Sequence, residues 1–358
     1  MDYTAMVGYR VEALDTPALT IELDILERNI ARLQSCLTGL GIASRPHVKT
    51  HKIPAIAHMQ LRAGAMGITC QKLGEAEVMA DAGIGDIFIP MNIVGDVKLA
   101  RLVALARRVR LSVCSDNAEV AAGLSRAAVA AGVTVGVLVE CDTGQGRCGV
   151  QTPDAAVTLA QEIARMPGLA FRGLATFPTS PAASAFLTEA AAKLATAGLP
   201  AEVVSGGGTA AVFGLHELPG FTEHRAGQYV FNDRNLLALQ EVTVADCSLR
   251  VRATVISRPV PDRAVLDAGS KTLTSNPGHG LIGFGLLLEY PEAVLARLTE
   301  EHGIVDLRAC TRRPRIGEQV TIVPNHASVV VNMFDVAFGV RDGRVETIWP
   351  VLARGMIR

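Results

Sequence analysis

Reactive side chains crowd one short segment. R-P-H-V-K-T-H-K (45–52) packs Arg45, His47, Lys49, His51 and Lys52 into eight residues at the end of a strand-like run. A lysine amine beside a protein core loses hydration, which lowers its pKa and frees it as a nucleophile. A lysine here is a natural Schiff-base former. A solvated basic loop has the same composition, so the neighbouring elements must decide.

A second segment, S-G-G-G-T (205–209), lies between a strand-like A-E-V-V and a helix-like T-A-A-V-F-G-L. Three glycines let backbone N–H groups approach an anion, and a helix N-terminus adds free donors and a favourable dipole. A phosphate monoester suits such a loop, although a plain turn reads the same way. It is not a Walker loop, because no G-K-[ST] follows. H-R-A-G-Q-Y (224–229) comes next, where Gly227 permits another close approach and Tyr229 offers a hydroxyl. E-C-D-T-G-Q-G-R-C-G-V (140–150) brings Glu140, Asp142 and Arg147 together. Arg147 could meet a ring nitrogen or a carboxylate, or form a structural ion pair. In V-P-N-H-A-S (323–328), His326 and Ser328 stand two apart on an expected strand and so share one face. Histidine is a good metal ligand and a serine hydroxyl a poor one. A lone strand histidine is also a common structural residue, and Lys271 reads as a surface lysine.

The elements that must hold these groups alternate. Apolar runs near 43–48, 66–70, 86–91, 109–114, 133–141, 169–177, 201–205 and 225–230 are separated by helical patterns at 54–63, 73–82, 96–108, 117–131, 153–166 and 181–197. Gly64, Gly83, Gly132, Gly168 and Gly198 supply helix stops. Asp24 and Glu27 suggest a capping box for an earlier helix. Eight strand–helix repeats predict an α/β fold of the (β/α)₈ TIM-barrel type, with a doubly wound sheet as the runner-up. After about residue 240 the period becomes two: 248–260, 318–326 and 329–340 predict antiparallel strands, and D-G-R (342–344) a hairpin turn. One helical piece is expected near 291–302. The expected domains are a barrel at 16–240 and a mainly antiparallel β domain at 241–358, joined by residues 1–15 as a possible extra strand.

Composition excludes other classes. The chain has 358 residues, 34 basic and 35 acidic, so no cationic face favours nucleic acid. With 49% hydrophobic residues it can bury a large core, yet no uncharged run suits a membrane span. Seven scattered cysteines without a C-x-x-C pair argue for free thiols in a reducing cytoplasm, not a disulfide framework or structural zinc.

An aldehyde-capturing lysine after the first barrel strand and an anion cradle after the seventh are what pyridoxal 5′-phosphate requires. With P-H-V-K-T-H-K, D-T-G-Q-G-R-C-G-V, S-G-G-G-T, H-R-A-G-Q-Y-V-F-N-D and P-N-H-A-S-V-V-V-N-M-F-D, nearly the whole chain resembles the D-threonine aldolase and D-serine dehydratase family, which has the alanine-racemase-like fold. The resemblance implies that Lys49 binds the cofactor covalently and that Arg147 lies near its ring. It places Ser205, Gly207, Gly208, Thr209, Gly227 and Tyr229 around the phosphate. It makes His326 a catalytic group and metal ligand. Ser328 would be a poor second ligand, so water, substrate oxygens and a carboxylate such as Asp335 would have to complete the shell. The metal expected is Mn²⁺ or Mg²⁺ before zinc. The implied protein is a homodimeric, cytoplasmic lyase of D-β-hydroxy amino acids, an aldolase before a dehydratase or a racemase. Two positions depart from the family pattern. Ser328 stands where Cys or Asp is usual, and Phe177 and Pro178 stand where better-known members carry Tyr and His.

Overall fold

The computed structural model describes residues 4–278 and 280–358. The chain forms two compact units: a barrel unit of 32–49, 54–227 and 355–358, and a sheet unit of 1–31, 50–53 and 228–354. This division differs from the one expected from sequence. Residues 16–31 and 228–240 group with the sheet unit, and so does the short piece 50–53 directly after Lys49.

In chain order, β1 (Ala18–Glu22) and α1 (Leu23–Gly39) come first. The barrel follows with β2 (Ala43–Ser44), α2 (Pro54–Arg62), β3 (Ile68–Thr69), α3 (Leu73–Asp81), β4 (Asp86–Ile89), α4 (Asp96–Ala106), β5 (Arg110–Ser115) and α5 (Ala118–Ala131). It continues with β6 (Val135–Cys141), α6 (Pro153–Arg165), β7 (Leu169–Thr176), α7 (Pro181–Thr196), β8 (Val203–Gly207) and β9 (Glu223–Arg225). All neighbours in the order β2-β9-β8-β7-β6-β5-β4-β3 are parallel. A parallel bridge between His47 and Thr69 closes the ring beyond β2 and β3. The eight-strand barrel was legible because strands covered on both faces read as continuous apolar runs. All seven residues of β6, for example, are buried. The helices start on local signals: Asn117, Thr152 and Ser180 cap α5, α6 and α7 by accepting from Val120, Ala155 and Ala183 N–H groups.

Three barrel details differ from expectation. The last strand is Glu223–Arg225, not 225–230, and Gln228–Val230 forms a 3₁₀ turn instead. The glycine segment leads into a 3₁₀ turn beginning only at Val212, so no α-helix dipole points at the loop. Asp24 lies inside the first turn of α1, where it cannot cap; with Glu27 it pairs with Arg341.

The sheet unit adds α8 (Arg234–Ala238), β10 (Leu249–Val260), β11 (Arg263–Leu266), α9 (Ser270–Leu273), β12 (Gly285–Leu287), β13 (Val294–Leu298), β14 (Gly303–Asp306), β15 (Gln319–Pro324), α10 (Ala327–Val331), β16 (Val336–Arg341) and β17 (Arg344–Pro350). Its sheet runs β13-β14-β11-β10-β1-β16-β17, with β15 pairing β10 and β12. Every pair is antiparallel except β1 with β16. The N-terminal strand is therefore Ala18–Glu22. Among the described residues before β1, an Arg10–Arg344 bridge and a Gly8 N–H bond to Val345 tie the chain to the sheet without forming a strand, and residues 1–3 lie outside the described part. The segment expected to be helical near 291–302 is the β13–β14 hairpin. Asp342 and Gly343, at φ 50° and 69°, make the expected tight turn before β17.

Candidate active site

The reactive segment is divided between the units. In the barrel unit, Lys49 sits in a 3₁₀ turn after β2, at the carboxyl end of the strands where barrel enzymes work. It is solvent-accessible, as a residue in an open mouth is, yet enclosed by protein. That enclosure lowers its pKa, and the charges of Arg147 and Arg225 lower it further, while Glu75 opposes them. His47 is buried, and its pKa falls well below the usual histidine value, first through burial and then through Lys49 and Arg225. Its Nδ1 faces the Lys49 N–H at 3.5 Å and its Nε2 lies 3.1 Å from Gln71 Oε1. That arrangement specifies the neutral tautomer with Nε2–H donating to Gln71.

A chain of polar side chains threads the barrel interior. Arg45 donates to Asp86 and, at 2.6 Å, to Glu223. Glu223 accepts from Ser205 Oγ at 2.6 Å, and Ser205 accepts from Arg225 Nη1. Arg225 Nη2 donates to the Thr176 carbonyl at 2.9 Å, and its guanidinium lies 5.3 Å from the Phe88 ring centre. Ser205 is fully buried and its hydroxyl is taken up in this chain, so its task differs from the phosphate contact expected of it. Sequence reasoning missed Arg225. Its one signal was an arginine at the end of a buried strand, in H-R-A-G-Q-Y.

At the same mouth, the 140–150 loop is tied by reciprocal backbone bonds between Glu140, Asp142 and Val150. Asp142 Oδ1 accepts the N–H groups of Gly144, Gln145 and Gly146, which hold its pKa low and make it a turn residue. Arg147 approaches Glu140 at 3.6 Å and lies 5.6 Å from the Phe177 ring centre. Burial raises the Glu140 pKa; Cys148 donates to its Oε1 at 3.2 Å, and its Oε2 is buried without a hydrogen-bond partner.

The three glycines of the anion loop have different tasks. A side chain at Gly206 would overlap Thr179 Oγ1 and come within 2.9 Å of the Phe221 ring. Gly206→Ala should therefore cost about 1–3 kcal/mol of stability, measured by denaturant unfolding; an unchanged midpoint would show that the strand shifts freely. Gly207 has only ordinary contacts at its Cβ position, with Phe177 at 3.4 Å and Arg225 at 3.5 Å. Gly208 needs φ +112°, which other residues rarely adopt. Backbone at 208–209 and two arginines form a donor set that fits an anionic, ring-bearing cofactor held by Lys49, and the unpartnered Glu140 Oε2 is an acceptor at the same mouth. Gly227 ends the long stretch of the barrel unit.

In the sheet unit, Tyr229 is buried in the 228–230 turn. Lys52 is buried at φ 56° with Nζ donating to Asn332 at 2.9 Å, and His51 accepts from the Ile53 N–H at 3.1 Å. His326 is half-buried and stands at the N-cap of α10, while Ser328 lies inside that helix. The shared strand face is thus replaced by a strand-to-helix corner, because Asp233 Oδ2 accepts the Ala327 N–H at 3.0 Å and starts the turn. Ser328 Oγ donates to Thr50 at 3.2 Å, and Asp335 pairs with Arg354 at 2.6 Å. Among the described residues no three His, Cys, Asp or Glu side chains converge as a metal cage. His326 with Ser328 fits a loosely held divalent ion completed by water and substrate oxygens, and does not fit a closed structural site. Lys271 is an exposed lysine paired with Glu300 and Glu301. No helix among the described residues is long and apolar enough to cross a membrane.

Comparison with known proteins decides the lineage. The alanine racemase N-terminal domain model matches residues 21–235, and the putative serine dehydratase domain model matches 248–340. D-threonine aldolase from Arthrobacter sp. is 38% identical over 99% of this chain and 96% of its own. The chain belongs to the D-threonine aldolase and D-serine dehydratase family. The crystal structure of D-threonine aldolase from Filomicrobium marinum superposes with a TM-score of 0.90 at 36% identity, covering both chains fully. D-threo-3-hydroxyaspartate dehydratase from Delftia sp. HT23 gives 0.86 at 32%, over 95% of this chain and 98% of that one. One variant of that dehydratase has been solved in a metal-free form. The family's alanine-racemase-like fold is the one described above.

Proposed function

We infer that the chain is a pyridoxal-phosphate-dependent lyase of D-β-hydroxy amino acids that cleaves a D-threonine-like substrate to glycine and an aldehyde. The observation that carries this is Lys49: an accessible amine of lowered pKa, flanked by cations, at the carboxyl end of a family barrel. Lys49 would hold the cofactor, Arg147 and Arg225 would lie beside it, and Gly208 and Thr209 would cradle its phosphate, with Gly207 leaving room for the approach; the family adds Gly227 and Tyr229. When bound, that cofactor is an electron sink for a bond broken at Cα. The chain's own work is to hold and move protons. Lys49, neutral more readily than an ordinary lysine, takes and returns a proton at the substrate nitrogen and Cα. Neutral His47 keeps the Lys49 backbone in place. The family resemblance would give His326 the proton of the substrate's β-hydroxyl. A divalent ion, if held by His326 and Ser328, would polarise that oxygen. Homodimerisation and a cytoplasmic location complete this reading.

The aldolase reading is preferred to the dehydratase because Ser328 offers no thiolate, and the identity to an aldolase supports that preference. Racemisation needs an acid–base group on each cofactor face, and among the described residues Lys49 has no convincing partner on the opposite face. Incubation with D-threonine, D-phenylserine, D-serine and D-3-hydroxyaspartate tests this directly. Glycine plus aldehyde is expected. Ammonia and a keto acid as the main products would make it a dehydratase.

A further inference from the structure

We propose that His224, with Thr179, is a positioning residue that clips the glycine loop into its anion-binding shape. The proposal rests on the reading of 207–209 as the phosphate cradle and deepens it. Glu223 and Arg225 of β9 turn into the barrel and join the polar chain, so the alternation of the strand sends His224 to the other side. There it is fully buried, with Nε2 2.9 Å from the Gly208 carbonyl oxygen. A carbonyl only accepts, so Nε2 carries the proton and Nδ1 is the bare acceptor. Nδ1 is buried without a partner, so a second proton there would be stranded. Burial accordingly pushes the His224 pKa down to about 4, and the donor stays in place at any ordinary assay pH.

The second clip is Thr179, whose Oγ1 accepts the Gly207 N–H at 2.9 Å. The two bonds act on the 206–207 and 208–209 peptides, on either side of the 207–208 peptide. In a trans peptide the C=O and the following N–H point in opposite directions. Holding the Gly208 carbonyl on His224 therefore points the Thr209 N–H in the opposite direction within that peptide plane. The Gly208 φ of +112° belongs to this orientation. Without the clips, the loop would lose its fixed donor direction while the lysine and the barrel remained.

The test separates phosphate recognition from general damage. The apoenzyme of wild type, His224→Leu and Thr179→Val is titrated with pyridoxal 5′-phosphate and with pyridoxal, which lacks the phosphate, and binding is read by absorbance. Wild type should prefer the phosphorylated form strongly. Each folded variant should lose about tenfold of that preference, the worth of roughly one hydrogen bond at the upper end of its range, with pyridoxal affinity nearly unchanged. A preference equal to wild type in either folded variant overturns the clip. If His224→Leu does not fold, the smaller Thr179→Val change decides. A wild type with no preference for the phosphate would instead overturn the cradle itself.

Discussion

Lys49→Ala should lower turnover by about 10³-fold or more, because the nucleophile that holds the cofactor and shuttles its proton is gone. The variant should still bind pyridoxal phosphate weakly through the loop and the arginines. Borohydride reduction of wild type should place the adduct on Lys49, and Lys52→Ala should keep most activity, since Lys52 is committed to Asn332. The pH dependence follows in sign. Enclosure first, and Arg147 and Arg225 next, favour the neutral amine. Cofactor capture by the apoenzyme should therefore rise with pH and level off below the ordinary lysine value of about 10.4. Arg147→Met removes one of these charges and should move the midpoint upward. An adduct on Lys52, or a midpoint that does not respond to Arg147, would remove Lys49 from its assigned place.

How much of this was legible in the sequence depended on whether the deciding partners were local. The barrel was readable because β6 is apolar throughout and Gly132 stops the helix before it. The β13–β14 hairpin was not. V-L-A-R-L-T favours a helix by composition, and it is a strand because it pairs with β14, which is itself held by the distant β11. At 327–331, A-S-V-V-V reads as a strand, yet Asp233, 94 residues earlier, starts a helical turn there. Lys49 and the glycine loop were found because their chemistry is written in adjacent residues. The Arg45–Glu223–Ser205–Arg225 chain was not, since Arg45 and Glu223 are 178 positions apart. That chain changes the meaning of Ser205, which looked like a phosphate contact while it stood next to three glycines.

The metal requirement gives the second large effect. His326 is one strong donor, and Ser328 is a neutral hydroxyl already donating to Thr50. Asp335, the carboxylate expected to complete the shell, is paired with Arg354. With so few protein ligands, a bound ion should exchange readily and favour oxygen-rich shells, which suits Mn²⁺ or Mg²⁺ better than zinc. Exhaustive chelation should lower turnover by about 10²-fold, the scale of a lost Lewis acid on the β-oxygen, while the cofactor absorbance stays. Mn²⁺ should restore it. Ser328→Asp should tighten Mn²⁺ binding about tenfold, because a carboxylate adds charge and a better donor. His326→Ala should weaken metal binding and turnover together. The competing account is that His326 alone takes the β-hydroxyl proton. It predicts full turnover after chelation, no metal in the purified protein, and no gain in metal affinity from Ser328→Asp. That combination would leave Lys49 and the cradle intact and reassign only the sheet unit's histidine.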